Sequence, residues 1–194
     1  VFVDDIIVYG ASQQEFVRNL RLVFERLRAF RLRLKRSKCK LGLAQVEYLG
    51  YIVSGSGIAL SDRRKQGLAD LQAPKGPAQL RSFLGLANYF RAFIPRYAET
   101  AKPLARLCSD KVQFEWSPAA ETAFLALKAA VMEAPMLHHL DYNLPIILRT
   151  DASMAGVGAV LLQRVNGREC PVCFVSKAFT ETEARWSTIE QEAY

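Results

Sequence analysis

Apolar residues recur along this chain first at helical and then at strand spacing, and the changes of period mark out its elements. Phe16, Leu20, Val23, Phe24, Leu27 and Phe30 follow a capping box made by Ser12 and Glu15, which predicts an amphipathic helix of about five turns. Short strands are predicted over residues 41–43 and 46–53, with Gly50, Gly55 and Gly57 marking turns, before Pro74, Gly76 and Pro77 break the chain. From Ala78 the spacing is helical again, with Leu80, Phe83, Leu84, Ala87, Phe90 and Ile94 on one face. Arg81, Gly85 and Tyr89 fall at i, i+4 and i+8 and make a second stripe. Ser117 and Pro118 suit the N-cap and first position of a helix over 119–132. Residues 144–149 then read as a strand running into Thr150-Asp151, 157–163 as its antiparallel neighbour across a turn containing Gly156, and 172–175 as a third strand. Ser187 and Glu190 form another capping box, opening a helix at Thr188.

Composition adds bounds. A chain of 194 residues, 51% of them hydrophobic, suffices for one large or two small domains. No apolar run nears the ~20 residues that span a bilayer, so no membrane partner is expected. The chain starts at Val1-Phe2-Val3, without Met or signal-peptide order, and stops at Tyr194 inside a helical pattern, so a piece of a longer polypeptide is expected. Its four cysteines are irregularly spaced and point to a reducing, intracellular setting. Cys170 and Cys173 have CxxC spacing, but in a strand they face opposite ways and no second pair accompanies them, which argues against zinc. His138 and His139 lack a ligand partner at useful spacing and read as loop residues.

Charge is more telling once divided. Residues 1–100 hold 17 Lys and Arg against 8 Asp and Glu, whereas residues 101–194 hold 9 against 11. The basic excess concentrates between Arg26 and Lys40, the density expected of a surface that meets a phosphate backbone, although a solvated helix face would read the same way.

The sharpest chemistry is Asp4-Asp5, set among Val1, Val3, Ile6 and Val8 in a short apolar hairpin. Adjacent carboxylates repel, and apolar flanks add desolvation, so a cation is their natural partner. Mg²⁺ takes hard oxygen ligands and often only one or two protein carboxylates. The plainer reading is that both are turn residues, a role Asp fills without any metal.

Phe2-Val3-Asp4-Asp5 resembles the aromatic-x-Asp-Asp signature of reverse transcriptases, and the likeness continues in order. Residues 48–54, beginning Tyr48-Leu49-Gly50, are similar to the primer-grip hairpin; residues 80–91 resemble the thumb helix; Thr150-Asp151-Ala152-Ser153 with the segment 156–161 resembles the first two strands of an RNase H domain. The wording of the thumb and RNase H segments is nearest the pol polyprotein of gypsy-type LTR retrotransposons.

The resemblance implies a mixed α+β and α/β chain: the C-terminal part of a palm with the primer grip (1–73), a helical thumb and connecting segment (74–135), and the start of an RNase H-like mixed sheet (136–194). It implies an RNA-directed DNA polymerase with associated RNase H in the intact parent, using Mg²⁺ or Mn²⁺, an RNA/DNA template-primer and deoxynucleoside triphosphates, alongside other parts of the polyprotein. Such a parent works in a cytoplasmic virus-like particle or the nucleus, and the fragment alone is expected to be inactive. Asp4 would be the principal polymerase ligand with Asp5 beside it, and Asp151 a nuclease ligand. The family pattern Glu-x-Glu before a small or apolar residue selects Glu192 as its companion, Glu190 being occupied in capping. The first helix would pack its stripe beneath the catalytic hairpin. Arg81, Gly85 and Tyr89 would line the template-primer groove, although Gly85 would equally permit close helix packing. Lys38 stands near the place where the family has a lysine that protonates pyrophosphate, a place Lys35 or Lys40 could equally fill. The alternative is a decayed or domesticated copy that keeps only nucleic-acid binding.

Overall fold

A computed structural model describes residues 4–193. Helix α1 (Gln13–Ala29) begins as expected: the Ser12 hydroxyl accepts from the Glu15 N–H at 3.2 Å, and the Glu15 carboxylate accepts from the Ala11 N–H at 2.8 Å. No residue of α1 is buried. Phe16, Leu20, Val23 and Leu27 are half-buried, while Phe24 and Phe30 stand open to solvent. The chain before the helix lies against its start, where Asn19 donates to the Tyr9 carbonyl at 2.9 Å.

Two expected strands are absent. Asp4 sits in a turn and Asp5 in a single bridge, and residues 6–10 take no regular structure; the other arm of the expected hairpin, Val1-Phe2-Val3, lies outside the described residues. Residues 41–43 also run without regular structure, after a 3₁₀ turn (Arg36–Lys38), and leave Leu41 and Leu43 exposed. A strand forms only where a neighbour pairs its backbone groups, and among the described residues no strand runs beside either segment.

The expected strand over 46–53 is instead a hairpin. Strands β1 (Gln45–Tyr48), β2 (Tyr51–Ser54) and β3 (Gly57–Leu60) form an antiparallel meander, with Tyr48 opposite Tyr51. Leu49 and Gly50 turn the corner at φ 53° and 83°, the paired positive values of a two-residue type I′ turn. A Cβ at Gly50 would also meet Arg64 Nε at 2.6 Å and push that flexible side chain aside.

Helix α2 (Asp62–Ala69) was not anticipated, because it is polar almost throughout and buries only Leu68. Helix α3 (Pro77–Tyr89) starts at its proline and buries Leu80, Phe83 and Ala87. Its apolar face continues through a 3₁₀ turn (Arg91–Phe93), where Phe90, Phe93 and Ile94 are buried. Pro95 precedes a further unanticipated helix, α4 (Tyr97–Arg106), and α5 (Pro118–Met132) is capped by Ser117, whose hydroxyl accepts from the Ala120 N–H at 3.3 Å. These helices and β3 enclose the main core, from Leu60 to Leu137. Each large apolar side chain fully buried there contributes roughly 1.5–3 kcal/mol.

Residues 136–139 join this layer to the second sheet. Ile58 and Leu137 exchange backbone bonds at 2.7 and 2.8 Å, and the His138 N–H donates to the Pro171 carbonyl at 2.8 Å. Strands β4 (Ile146–Ala152), β5 (Gly156–Val165) and β6 (Arg168–Ala178) are consecutive and antiparallel, and β6 extends well beyond the expected four residues. Buried Gln163 donates to the Asp141 and Leu144 carbonyls at 2.7 and 3.2 Å, pinning the loop before β4. Helix α6 (Thr188–Ala193) opens at the second capping box, where the Ser187 N–H donates to the Glu190 carboxylate at 2.7 Å, and α6 packs against β4.

Candidate carboxylate sites and nucleic-acid interface

The first candidate site is built by tyrosines. Tyr48, at the end of β1, donates its phenol to the Asp5 carbonyl at 3.1 Å, so the hairpin is tied to the aspartate turn. From the other side, Tyr89 at the end of α3 donates to the Leu49 carbonyl at 3.0 Å, and Tyr51 donates to the Tyr89 carbonyl at 3.0 Å. The rings of Tyr51 and Tyr89 stack with centroids 5.2 Å apart, and Phe93 stacks on the far face of Tyr51 at 5.6 Å. Burial, then the Tyr89 hydrogen bond, pushes the Tyr51 phenol well above its usual range, so it stays a donor. Aspartate turn, hairpin and α3 thus form one connected unit.

The remaining candidates spread from that unit. Gly85 is exposed one helical turn before Tyr89, with nothing within 4 Å of where a Cβ would stand, so no described element packs against it. Arg81 lies a further turn back, donates to the Cys108 carbonyl at 3.1 Å and stands 3.7 Å from the Asp110 carboxylate. The stripe is therefore one open helix face, with its arginine tethered at one end and its tyrosine docked at the other. Lys38 is exposed at the end of the 3₁₀ turn among the basic residues.

Asp4 and Asp5 are both exposed. Their hard oxygens fit the protein's share of a Mg²⁺ shell, one or two carboxylates with the rest left to water and phosphate. Among the described residues, no three potential ligands of the His, Cys, Asp or Glu type gather at one point.

The second candidate site lies on the second sheet. Asp151 on β4 is paired in register with Gly158 on β5, and Gly158 with Ser176 on β6, so the three share one face. Helix α4 lies on it. The Ala98 N–H donates to the Ser176 hydroxyl at 2.9 Å, Arg91 donates to the Ser176 carbonyl at 3.2 Å, and the Lys102 ammonium reaches the Ala155 and Phe179 carbonyls, each at 3.2 Å. Between these anchors the Arg96 guanidinium pairs with the Asp151 carboxylate. Nothing in the sequence announces that pair, whose members are separated by 55 positions. Glu192 is exposed on α6. Glu190 is engaged at the cap, and the Ser187 N–H and hydroxyl hold its carboxyl below the usual range. Asp151 and Glu192 again offer only hard oxygen donors, on two elements packed together.

The candidate carboxylates of the two sites sit on stretches that match known families separately. Residues 1–53 match the reverse transcriptase (RNA-dependent DNA polymerase) family, and residues 116–194 match the RNase H-like domain found in reverse transcriptase. The fold is that of the foamy viral protease-reverse transcriptase: the structure with double-stranded DNA superposes with a TM-score of 0.81 at 24% identity, over 95% of this chain and 32% of that one. The same viral protein with an RNA/DNA hybrid gives 0.78 at 23% identity, over 95% and 25%.

The chain therefore joins a stretch of the reverse transcriptase family to one of the RNase H-like family, and along nearly its whole length it is similar to Pol polyproteins of LTR retrotransposons. It is 34% identical over 192 residues to the retrovirus-related Pol polyprotein of transposon 412 of Drosophila melanogaster, and 34% identical over 203 residues to that of transposon opus. To the Tf2-3 polyprotein of Schizosaccharomyces pombe it is 31% identical over 192 residues. These alignments take in 98–99% of this chain but only 14–20% of the relatives. A gypsy-type origin fits these relatives.

Proposed function

We propose that this chain is the piece of an RNA-directed DNA polymerase that couples the polymerase carboxylates to the primer grip and carries the first RNase H carboxylates. The intact parent would transfer deoxynucleotides from deoxynucleoside triphosphates to the 3′ hydroxyl of a primer on an RNA or DNA template, and cleave the RNA of the resulting hybrid. The observation that carries the reading is the Tyr48 phenol on the Asp5 carbonyl, with Tyr89 closing the same hairpin from α3. It fixes the carboxylate turn against the element proposed to hold the primer end, and such positioning lowers the barrier by removing orientational freedom before reaction.

Within that reading, Asp4 and Asp5 would hold Mg²⁺ or Mn²⁺ for polymerisation, and Asp151 with Glu192 for cleavage. The bound cations would supply Lewis acidity, making hydroxyl or water a better nucleophile and neutralising the phosphate. The turn residues Leu49 and Gly50 would present backbone to the primer. The Arg81, Gly85 and Tyr89 face would lie along the duplex, Gly85 letting the helix approach the sugars, and the basic run from Arg26 to Lys40 would contact phosphates and supply Lys38 near the departing pyrophosphate. We assign residues 1–73 to palm and primer grip, 74–135 to thumb and connection, and 136–194 to the RNase H-like part, in a parent acting inside the cell in a virus-like particle or the nucleus. The test is Asp4→Asn in the complete polyprotein: primer extension should fall below detection while template-primer affinity stays near normal, because one carboxylate charge is lost and the basic surface kept. Near-normal extension would refute the assignment.

A further inference from the structure

We propose that Arg96 is a resident counter-cation for Asp151, and that a divalent cation takes up this carboxylate only by displacing the guanidinium to Glu99. The proposal rests on the reading of Asp151 as a metal ligand, and adds to it a two-position arginine supplied by the helical layer.

The pair is built in. Arg96 stands at φ 50° as N-cap of α4, and its carbonyl accepts from the N–H groups of Glu99 and Thr100 at 3.1 and 3.2 Å, which fixes where the side chain departs. The stem then crosses β5 at Gly158, where a Cβ would stand 3.2 Å from Arg96 Cγ and crowd this path. The same register row that puts Asp151 beside Gly158 brings the carboxylate under the guanidinium.

The alternative position is also present. Arg96 Nε lies 3.9 Å from Glu99 Oε1, and that oxygen is buried without a hydrogen-bond partner among the described residues. A buried carboxylate oxygen without a hydrogen bond is costly, so a guanidinium that leaves Asp151 and closes from 3.9 Å to hydrogen-bond distance of Glu99 offsets part of what it gives up. Helix α4 need not move, because Ser176, Ala155 and Phe179 hold it through other residues. Asp151 opens onto a cleft of roughly 200 Å³ whose lining also includes Arg96, Arg149, Pro95 and Phe174, so the carboxylate is its one anionic group and shares it with two guanidinium groups. Occupancy of the proposed nuclease site would thus be read by an arginine at the start of a thumb-side helix.

Arg96 and Asp151 have side-chain exposures of 44% and 67%. A pair so solvated is worth little, so the competition should change ion affinity by about three- to fivefold. The experiment is Mn²⁺ binding to this chain, followed by electron paramagnetic resonance and calorimetry. Arg96→Asn removes the charge while tolerating positive φ. It should tighten one Mn²⁺ site by that factor, Arg96→Lys should remain near the unsubstituted chain, and Asp151→Asn should abolish the site in either background. In the unsubstituted chain, Mg²⁺ saturation should shift the Arg96 Nε–H resonance, and Glu99→Gln should reduce that shift; this readout stands even should Arg96→Asn fail to fold by circular dichroism. An Asp151-dependent site whose affinity ignores Arg96→Asn, or a resonance that ignores Mg²⁺, would overturn the counter-cation and leave the ligand reading intact. No site lost on Asp151→Asn would defeat the ligand reading itself.

Discussion

Helices α1 and α3 carry the same kind of apolar stripe and meet opposite fates. In α3 the stripe is sealed: Leu80, Phe83 and Ala87 are buried against α2, α4 and α5. In α1 no residue is buried, and Phe24 and Phe30 face solvent. Amphipathic periodicity fixes where a helix forms and which side is apolar, but the partner comes from elsewhere in the fold. The basic run overlaps the uncovered helix, so charge and exposed apolar surface occur together in this N-terminal segment, outside the buried core.

Core truncation should separate the two helices most. Leu80→Ala or Phe83→Ala, both buried in α3, should cost about 2–5 kcal/mol by urea unfolding, whereas Phe24→Ala should stay within ~0.5 kcal/mol. Similar losses at both places would show that α1 has a tight partner after all.

Nucleic-acid binding sharpens the contrast from the other end. Replacing Arg28, Arg31 and Arg33 together by Ala should weaken duplex binding and flatten its salt dependence, each lost phosphate contact reducing the slope by about 0.9. Tyr89→Ala should weaken binding with the slope nearly unchanged. Identical slopes and affinities for all variants across a salt series would remove both surfaces from the interface. A smaller effect attends Tyr89→Phe, which keeps the ring and deletes the donor to Leu49: about 0.5–1.5 kcal/mol of stability, read by thermal or urea unfolding.

The smallest effect is electrostatic. Lys177 first, and then the Thr180 N–H, lower the Glu183 carboxyl from an ordinary value of 4.5 to about 2. A group depressed in the folded state contributes stability above its unfolded value and loses it on acidification, here between about pH 4.5 and 2. The stability difference between the unsubstituted chain and Glu183→Gln should therefore be present at pH 6 and shrink as the pH falls through that window. A difference that stays constant down to pH 2 would contradict the contact.

What the sequence disclosed follows from the range of each interaction. The boxes at Ser12 and Ser187, the proline-led start of α5 and the order of the last three strands are local, and all appear in the structure, while α3 begins at Pro77, one residue before the expected Ala78. Helix α2 escaped because a nearly all-polar segment has no period to reveal it, and the hairpin expected around Asp4-Asp5 has no regular strand at residues 6–10 because an apolar run does not say what pairs with it. The candidate carboxylates were legible as motifs. Their fastenings, Tyr48 on Asp5 and Arg96 on Asp151, link residues 43 and 55 positions apart and exist only through the tertiary fold.

The central claim is that this chain carries parts of two distinct carboxylate centres, and the most direct measurement is both activities on the same variants of the complete polyprotein. Asp4→Asn should stop primer extension and leave cleavage of RNA in an RNA/DNA hybrid; Asp151→Asn or Glu192→Gln should stop cleavage and leave extension. Loss of both activities by either class of variant in a folded protein would contradict two separate sites, and cleavage that survives Glu192→Gln but fails with Glu190→Gln would move the second nuclease ligand to the capping residue.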